Sequence, residues 1–245
     1  MTNENYLAID IGGSRIKATI IDANGEMLTP YQKIETPEMA NPENTIATIK
    51  ELIKNFPAFD KISVGFPGYV RDGVVKTAPN LDNAAWKDFD LSNALAKDLK
   101  KPVRMVNDAD FQGLAVISNV GLEMVITLGT GFGTALFMDG KLLPHLELAH
   151  LPVRNGKDYD AFIGEKALLK DGLEKWNVKM EEVLKTFKEV INYDRLYLSG
   201  GNAKKLSFKL DDNVTVVSNK DGIKGGAFLW RNDDDYCVKT ANPGK

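Results

Sequence analysis

The chain has 245 residues, 43% of them hydrophobic and 27% charged, with 34 acidic against 31 basic side chains and a net charge of −3. That balance excludes a disordered chain and argues against a protein that coats nucleic acid. One cysteine, Cys237, and two histidines, His145 and His150, argue against a disulfide framework and a zinc site, and no apolar run is long enough to span a membrane. Residues 1–5 lack a basic or apolar leader, so the expected location is the cytoplasm.

Residues 6–9 read as a buried strand that ends on Asp10-Ile11-Gly12-Gly13-Ser14-Arg15-Ile16-Lys17, and residues 18–21 as its return before the turn Asn24-Gly25. Residues 27–35 add an edge strand, with Pro30 limiting its pairing. Ile46, Ile49, Leu52 and Ile53 recur at helical spacing and predict a helix over 44–55. A strand over 61–65 ends in Phe66-Pro67-Gly68. A helix over 91–99 takes Asp90 as its N-cap. The strand over 102–106 ends on Asn107-Asp108-Ala109-Asp110 and leads into a helix over 111–118, for which Asp110 is the better cap. Lys97, Lys100, Lys101 and Arg104 read as a solvated helix end.

The second half repeats the opening. A strand over 124–128 runs into Leu128-Gly129-Thr130-Gly131-Phe132-Gly133-Thr134, then a strand over 135–138 and the turn Asp139-Gly140. Helices are expected over 158–169 and 178–191. Strands follow over 195–198, before Ser199-Gly200-Gly201-Asn202, and over 214–217. A helix rich in small residues is expected over 222–230, and Asp233-Asp234-Asp235 and the tail as a frayed end. The organisation expected is a smaller lobe of residues 1–110, a larger lobe of residues 111–221, and a helix over 222–234 packing back on the first.

Glycine turns after buried strands let backbone N–H groups approach phosphate oxygens. Either turn taken alone also reads as an ordinary tight hairpin, and the first fits neither the Walker nor the dinucleotide pattern, because it leads into a strand and opens no helix. Two such turns predict two related lobes gripping one polyphosphate, the plan of a phosphotransferase. Asp10, beside the first turn, is the carboxylate expected to hold a hydrated Mg²⁺. Asp108, at a strand end, suits a base that takes a hydroxyl proton, although an N-cap role explains it equally well. Glu147 and His150, three residues apart, suit the vicinal hydroxyls of a polyol, with a plain surface histidine as the alternative. Gly68 and Asn80 offer further sugar contacts or simple turn chemistry, and Gly200-Gly201 leaves room for an adenine or a phosphate.

Seven pieces in order resemble the ROK sugar kinases, most closely their polyphosphate-glucokinase branch. They are Asp10–Lys17, Val64-Gly-Phe-Pro-Gly68, Gly73-Val-Val-Lys-Thr-Ala-Pro-Asn-Leu81, Asn107-Asp-Ala-Asp110, Leu128-Gly-Thr-Gly-Phe-Gly133, Glu147-Leu-Ala-His150, and Ser199-Gly-Gly201 with Ala203-Lys-Lys205. The resemblance implies an α/β, two-lobed, actin-like (ribonuclease H-like) fold with a central cleft. It implies phosphoryl transfer from ATP or polyphosphate to the 6-hydroxyl of glucose, with Mg²⁺, without zinc, in a homodimer that binds neither nucleic acid nor membrane. On it, Asp108 is catalytic; Gly68, Asn80, Asn107, Glu147 and His150 contact sugar. Asp10, Gly12, Gly13, Ser14, Lys17, Gly129, Thr130, Gly131, Gly133, Gly200 and Gly201 meet the donor phosphates. This chain departs from the pattern in lacking the cysteine-rich zinc motif and in having Ala149 for glycine and Ser14 for threonine. A further acidic sugar ligand falls on Asp160 or Glu165. A kinase of another hexose (mannose, fructose or an N-acetylhexosamine) and a non-catalytic sugar-binding protein stay open as alternatives.

Overall fold

In the computed structural model residues 4–244 are described, except the side chains of residues 219–221. β1 (Tyr6–Ile11) is buried at every position, as a strand covered on both faces must be. It pairs antiparallel with β2 (Arg15–Ile21), and β2 with β3 (Gln32–Glu35). β3 is shorter than the expected strand over 27–35, of which the first part makes only a single bridge, Ile21 to Met27; Pro30 has no N–H to extend the ladder. α1 (Pro42–Ile53) starts early because Asn41 accepts the Asn44 amide and Pro42 sits in the first turn. β4 (Lys61–Phe66) runs parallel to β1. A small hairpin, β5 (Val70–Arg71) with β6 (Val74–Val75), and a single turn, α2 (Asn83–Trp86), follow. α3 (Leu91–Leu99) is capped by Asp90 as expected and closes on Lys100 at φ 58°. β7 (Val103–Asn107) pairs parallel with β4 and passes directly into α4 (Asp108–Gly113). The helix expected over 111–118 therefore starts at Asp108, and its cap is Asn107; Asp110 is buried inside it.

β8 (Leu122–Leu128), β9 (Phe132–Met138) and β10 (Lys141–Leu142) form a second antiparallel meander. A hairpin of β11 (Pro152–Arg154) and β12 (Lys157–Asp158) leads to α5 (Tyr159–Ile163) and α6 (Glu165–Asp171). One helix was expected here; Gly164, extended at ψ 174°, divides it. α7 (Leu173–Ile191) buries Trp176, Met180, Val183, Leu184 and Phe187 and ends on Asn192 at φ 55°. β13 (Arg195–Ser199) lies parallel to β8, and β14 (Val214–Val216) parallel to β13. The chain then returns through α8 (Gly225–Phe228) and β15 (Thr240–Ala241) to the first sheet.

Two compact units result: Met1–Ala115 with Asp221–Lys245, and Val116–Lys220. Their sheets run β15-β7-β4-β1-β2-β3 and β10-β9-β8-β13-β14. Reading β3-β2-β1-β4-β7 against the second sheet gives the same order and the same strand senses, the α/β plan the repeated turns predict. Each unit has its own apolar cluster. Ile9, Ile20, Val64, Phe66 and Trp86 lie in the first, and Met124, Ile126, Phe162, Trp176 and Leu198 in the second. Each buried indole finds an acceptor, the Ala40 carbonyl at 2.6 Å for Trp86 and the Ile163 carbonyl at 2.7 Å for Trp176. The C-terminal unit, expected to be the larger, holds fewer residues than the first because residues 221–245 belong to the first unit, with β15 pairing on β7.

The tail is not the frayed end that three consecutive aspartates suggest. Arg104, read above as solvated, is 6% exposed. Its guanidinium donates to the carbonyls of Leu229 and Asn232, to Asp234 Oδ1 at 2.8 Å and to Thr240 Oγ1 at 2.9 Å. It also lies 4.6 Å from the centre of the Trp230 ring. A buried guanidinium needs this many acceptors to offset its lost hydration. Arg104→Ala strands those acceptors and is expected to cost about 3 kcal/mol, read as a lower urea midpoint at unchanged slope. A loss under about 1 kcal/mol would show that the tail holds without the guanidinium.

Candidate active site

In both units a three-residue turn follows the first strand: Gly12, Gly13 and Ser14 between β1 and β2, and Gly129, Thr130 and Gly131 between β8 and β9. Each turn is closed by its first amide. Gly12 N–H donates to Arg15 O at 3.0 Å, and Gly129 N–H to Gly131 O at 3.2 Å. Among the described residues, the next two amides of each turn, on Gly13, Ser14, Thr130 and Gly131, have no protein acceptor. Such N–H groups are bonded to water, and an anion can take them without breaking a protein hydrogen bond.

Around the first turn, Lys17 Nζ donates to Asp10 Oδ2 at 3.0 Å. Burial opposes the charge on Lys17, but Asp10 and the Tyr31 hydroxyl outweigh it and the ammonium pKa is raised. Gly13 lies against Asn80: a Cβ there would sit 3.2 Å from the Asn80 Cβ. A cavity of about 450 Å³, room enough for a hexose, is lined by Gly13, Thr36, Glu38, Met39, Asn80 and Asp82, among others. The Thr36 hydroxyl donates to Gly12 O at 2.6 Å and so ties the loop after β3 to the turn.

Asp10, Gly65 and Val106 share one row across β1, β4 and β7. Two strand spacings put the ends of β1 and β7 roughly 10 Å apart. At the end of β7, Asn107 Nδ2 donates to Gly68 O at 3.0 Å and its Oδ1 accepts the Ala109 amide at 2.7 Å. One amide side chain thus fixes the Gly68 turn, the end of the strand and the start of α4. Asp108, half-buried as the first residue of that helix, accepts the same Ala109 amide at 2.9 Å. Gly68, Asn107 and Asp108 are brought together, as are Asp10, Gly12, Gly13, Ser14, Lys17 and Asn80.

In the second unit, Glu147 is flanked by two imidazoles, His145 at 3.6 Å and His150 at 3.9 Å. Burial pushes the Glu147 carboxyl up, but the neighbouring imidazoles, His145 foremost and then His150, hold it below the usual range. His150 Nδ1 also lies 3.6 Å from Asp158, which caps α5. Asp160 Oδ1 accepts the Phe132 amide at 2.6 Å, so this carboxylate braces the second turn. Burial raises the Asp160 pKa against that hydrogen bond. Glu165 meets the same turn through its backbone, donating to Thr130 O at 3.2 Å. His145 and Asp158 carry no motif signal; the only clue was their nearness in sequence to Glu147 and Asp160. On the other flank, Asn202 ties residues 200–202 to the turn, through its amide to Leu128 O at 2.9 Å and its Nδ2 to Gly129 O at 3.1 Å. Gly200 and Gly201 therefore join the second turn. Gly133 instead sits within β9, opposite Thr127.

Residues 6–148 match the ROK family. Polyphosphate glucokinase from Mycobacterium tuberculosis is 32% identical over 237 residues, 93% of this chain and 87% of that protein. The crystal structure of inorganic polyphosphate/ATP-glucomannokinase from Arthrobacter sp. strain KM matches with a TM-score of 0.81 at 31% identity, over 92% of this chain and 97% of that one. A ROK family glucokinase from Streptomyces griseus, in complex with glucose and AMPPNP, shares the fold with a TM-score of 0.77 at 18% identity, over 92% and 98% of the two chains.

Gly68 and Gly129 differ in what the missing side chain protects. A Cβ on Gly68 would lie 2.0 Å from Thr77 O, whereas one on Gly129 meets nothing within 4 Å. Gly68→Ala is expected to lower stability by about 2 kcal/mol or more. Gly129→Ala should leave it within about 1 kcal/mol of the parent, as thermal melts would show. Equal melting shifts for the two variants would contradict this contrast.

Proposed function

The chain belongs to the ROK family, and from that premise we propose that it is a glucokinase. It transfers the terminal phosphoryl group of ATP or inorganic polyphosphate to the 6-hydroxyl of glucose. The observation that carries this reading is the pair of matching turns, each with two amides not committed to the protein. Phosphoryl transfer is served mainly by alignment and by neutralising charge, which bare amides and a nearby lysine supply. Gly12, Gly13, Ser14 and Lys17, with Gly129, Thr130, Gly131, Gly200 and Gly201, are the donor-binding groups in this proposal.

Asp108 is the proposed base. Its half-buried carboxylate is held at a strand end by the Asn107 clamp, where a hydroxyl proton can be taken up. Gly68, Asn80, Asn107, Glu147 and His150 are the proposed hexose contacts, and the lowered pKa of Glu147 keeps it an acceptor for sugar hydroxyls. Magnesium would come with the donor and supply charge neutralisation. Asp10 fits it, because Lys17 takes only Oδ2 and leaves the second oxygen for the ion's hydration shell. Zinc has no part in the proposal. Mannose is the favoured second sugar, since the Arthrobacter protein is named a glucomannokinase. A cytoplasmic homodimer completes the reading; light scattering tests the dimer, and no helix among the described residues is long and apolar enough to cross a membrane.

A product assay crossing a hexose panel with ATP and polyphosphate tests the activity, and Asp108→Asn tests the mechanism. The asparagine keeps shape and hydrogen bonding but cannot accept the proton. The turnover number is expected to fall on the order of 100-fold or more, with glucose affinity held within about threefold. A parent-like turnover would remove Asp108 from the base role.

A further inference from the structure

Between Asp194 and Asp211 the chain carries Arg195, Lys204, Lys205 and Lys209 and no acidic residue, in a protein of net charge −3. Arg195 opens β13, at the opposite end of that strand from residues 200–205. Lys209 adds to Lys188, which hydrogen-bonds Asp211 and holds its carboxyl below the usual range. Lys204 and Lys205 are left. Both are exposed, and neither has an ion-pair partner among the described residues. Lys179, Lys185 and Lys188 of the neighbouring α7 all reach carboxylates.

The backbone beneath the two lysines is firmly held. Asn202 ties it to Leu128 and Gly129, and the buried Asn177 accepts the Ser207 amide at 2.7 Å while donating to Lys205 O at 3.1 Å. The pair therefore stands on a platform fixed to the second turn on its β13 side. The β9 side of the same turn is acidic, with Asp160 on Phe132 N–H and with Glu147 and Asp158 acting electrostatically on Asp160. A polyanion with one phosphate on the turn is repelled from the acidic flank and drawn toward the lysines.

We propose that Lys204 and Lys205 form a subsite for the outer phosphates of an inorganic polyphosphate chain, beyond the phosphate held at residues 129–131. This rests on the kinase reading above and deepens it: the pair favours long polyphosphate over ATP, whose short phosphate chain ends in a nucleoside.

The test is the double variant Lys204→Gln/Lys205→Gln, in which the stems remain and the charges go. KM for long-chain polyphosphate is expected to rise about tenfold, the combined effect of two exposed ion pairs. KM for ATP and the affinity for tripolyphosphate should change less than about twofold. The dependence of polyphosphate binding on salt should also flatten, since fewer counterions are released. Calorimetry with polyphosphate and no sugar should show the same weakening as KM. An unchanged affinity for long polyphosphate, or an equal loss for both donors, overturns the subsite. If the parent enzyme phosphorylates no sugar, the kinase reading fails, and the calorimetric comparison still decides whether the lysines bind the polymer.

Discussion

The constraint on which the two units depend is the closure of a three-residue turn by its own first amide. Gly12 N–H on Arg15 O, and Gly129 N–H on Gly131 O, hold each turn tight enough that the first two strands stay in register. With that amide spent, the next two face outward. They cannot bond back into a ladder that has already reversed, and no side chain among the described residues reaches them. Each sheet thereby ends its central strand on a small array of donors, fixed before any ligand arrives. Preorganised donors of this kind cost nothing to align when charge develops on a phosphoryl group.

The rest of each unit brings chemistry to that array. In the first, parallel pairing of β1, β4 and β7 delivers Asp10 and Asn107 to one edge of the sheet. Asn107 then spends both ends of its amide, on Gly68 O and on Ala109 N–H, so that Asp108 begins a helix with little freedom. In the second, the turn is polarised. Asp160, with Glu147 nearby, makes one flank acidic and suited to hydroxyl donors, whereas Lys204 and Lys205 make the other basic. On the proposed reading, the acidic flank takes the hexose and the basic flank the polyanion, whose electrostatic needs are opposite.

Both turns, both central strands and Asn107-Asp108 were legible in the sequence, because glycine spacing and short apolar runs are local signals. The full duplication was less so: β10 has two residues against four in its counterpart β3, too short for any periodicity. The tail misled because a run of three aspartates reads as solvated, and only the fold shows Arg104 buried beneath it. The start of α4 was placed three residues late because Asn, Asp and Asp are all good caps, and the choice falls to whichever side chain the Gly68 carbonyl holds in place. Roles for Asp158 and Asp160 depend on contacts with His150 and with the Phe132 amide of β9, which no short window contains, and His145 lies close to Glu147 without any motif to mark it.

The central claim, that the uncommitted amides of both turns are phosphate cradles, is tested most directly by following backbone amide resonances during titration with a non-hydrolysable ATP analogue or tripolyphosphate in the presence of Mg²⁺. The amides of Gly13, Ser14, Thr130 and Gly131 are predicted to shift saturably and together, while those of Gly12 and Gly129, already bonded within the protein, move less. Resonances of either turn that stay in place at saturating donor would contradict the account.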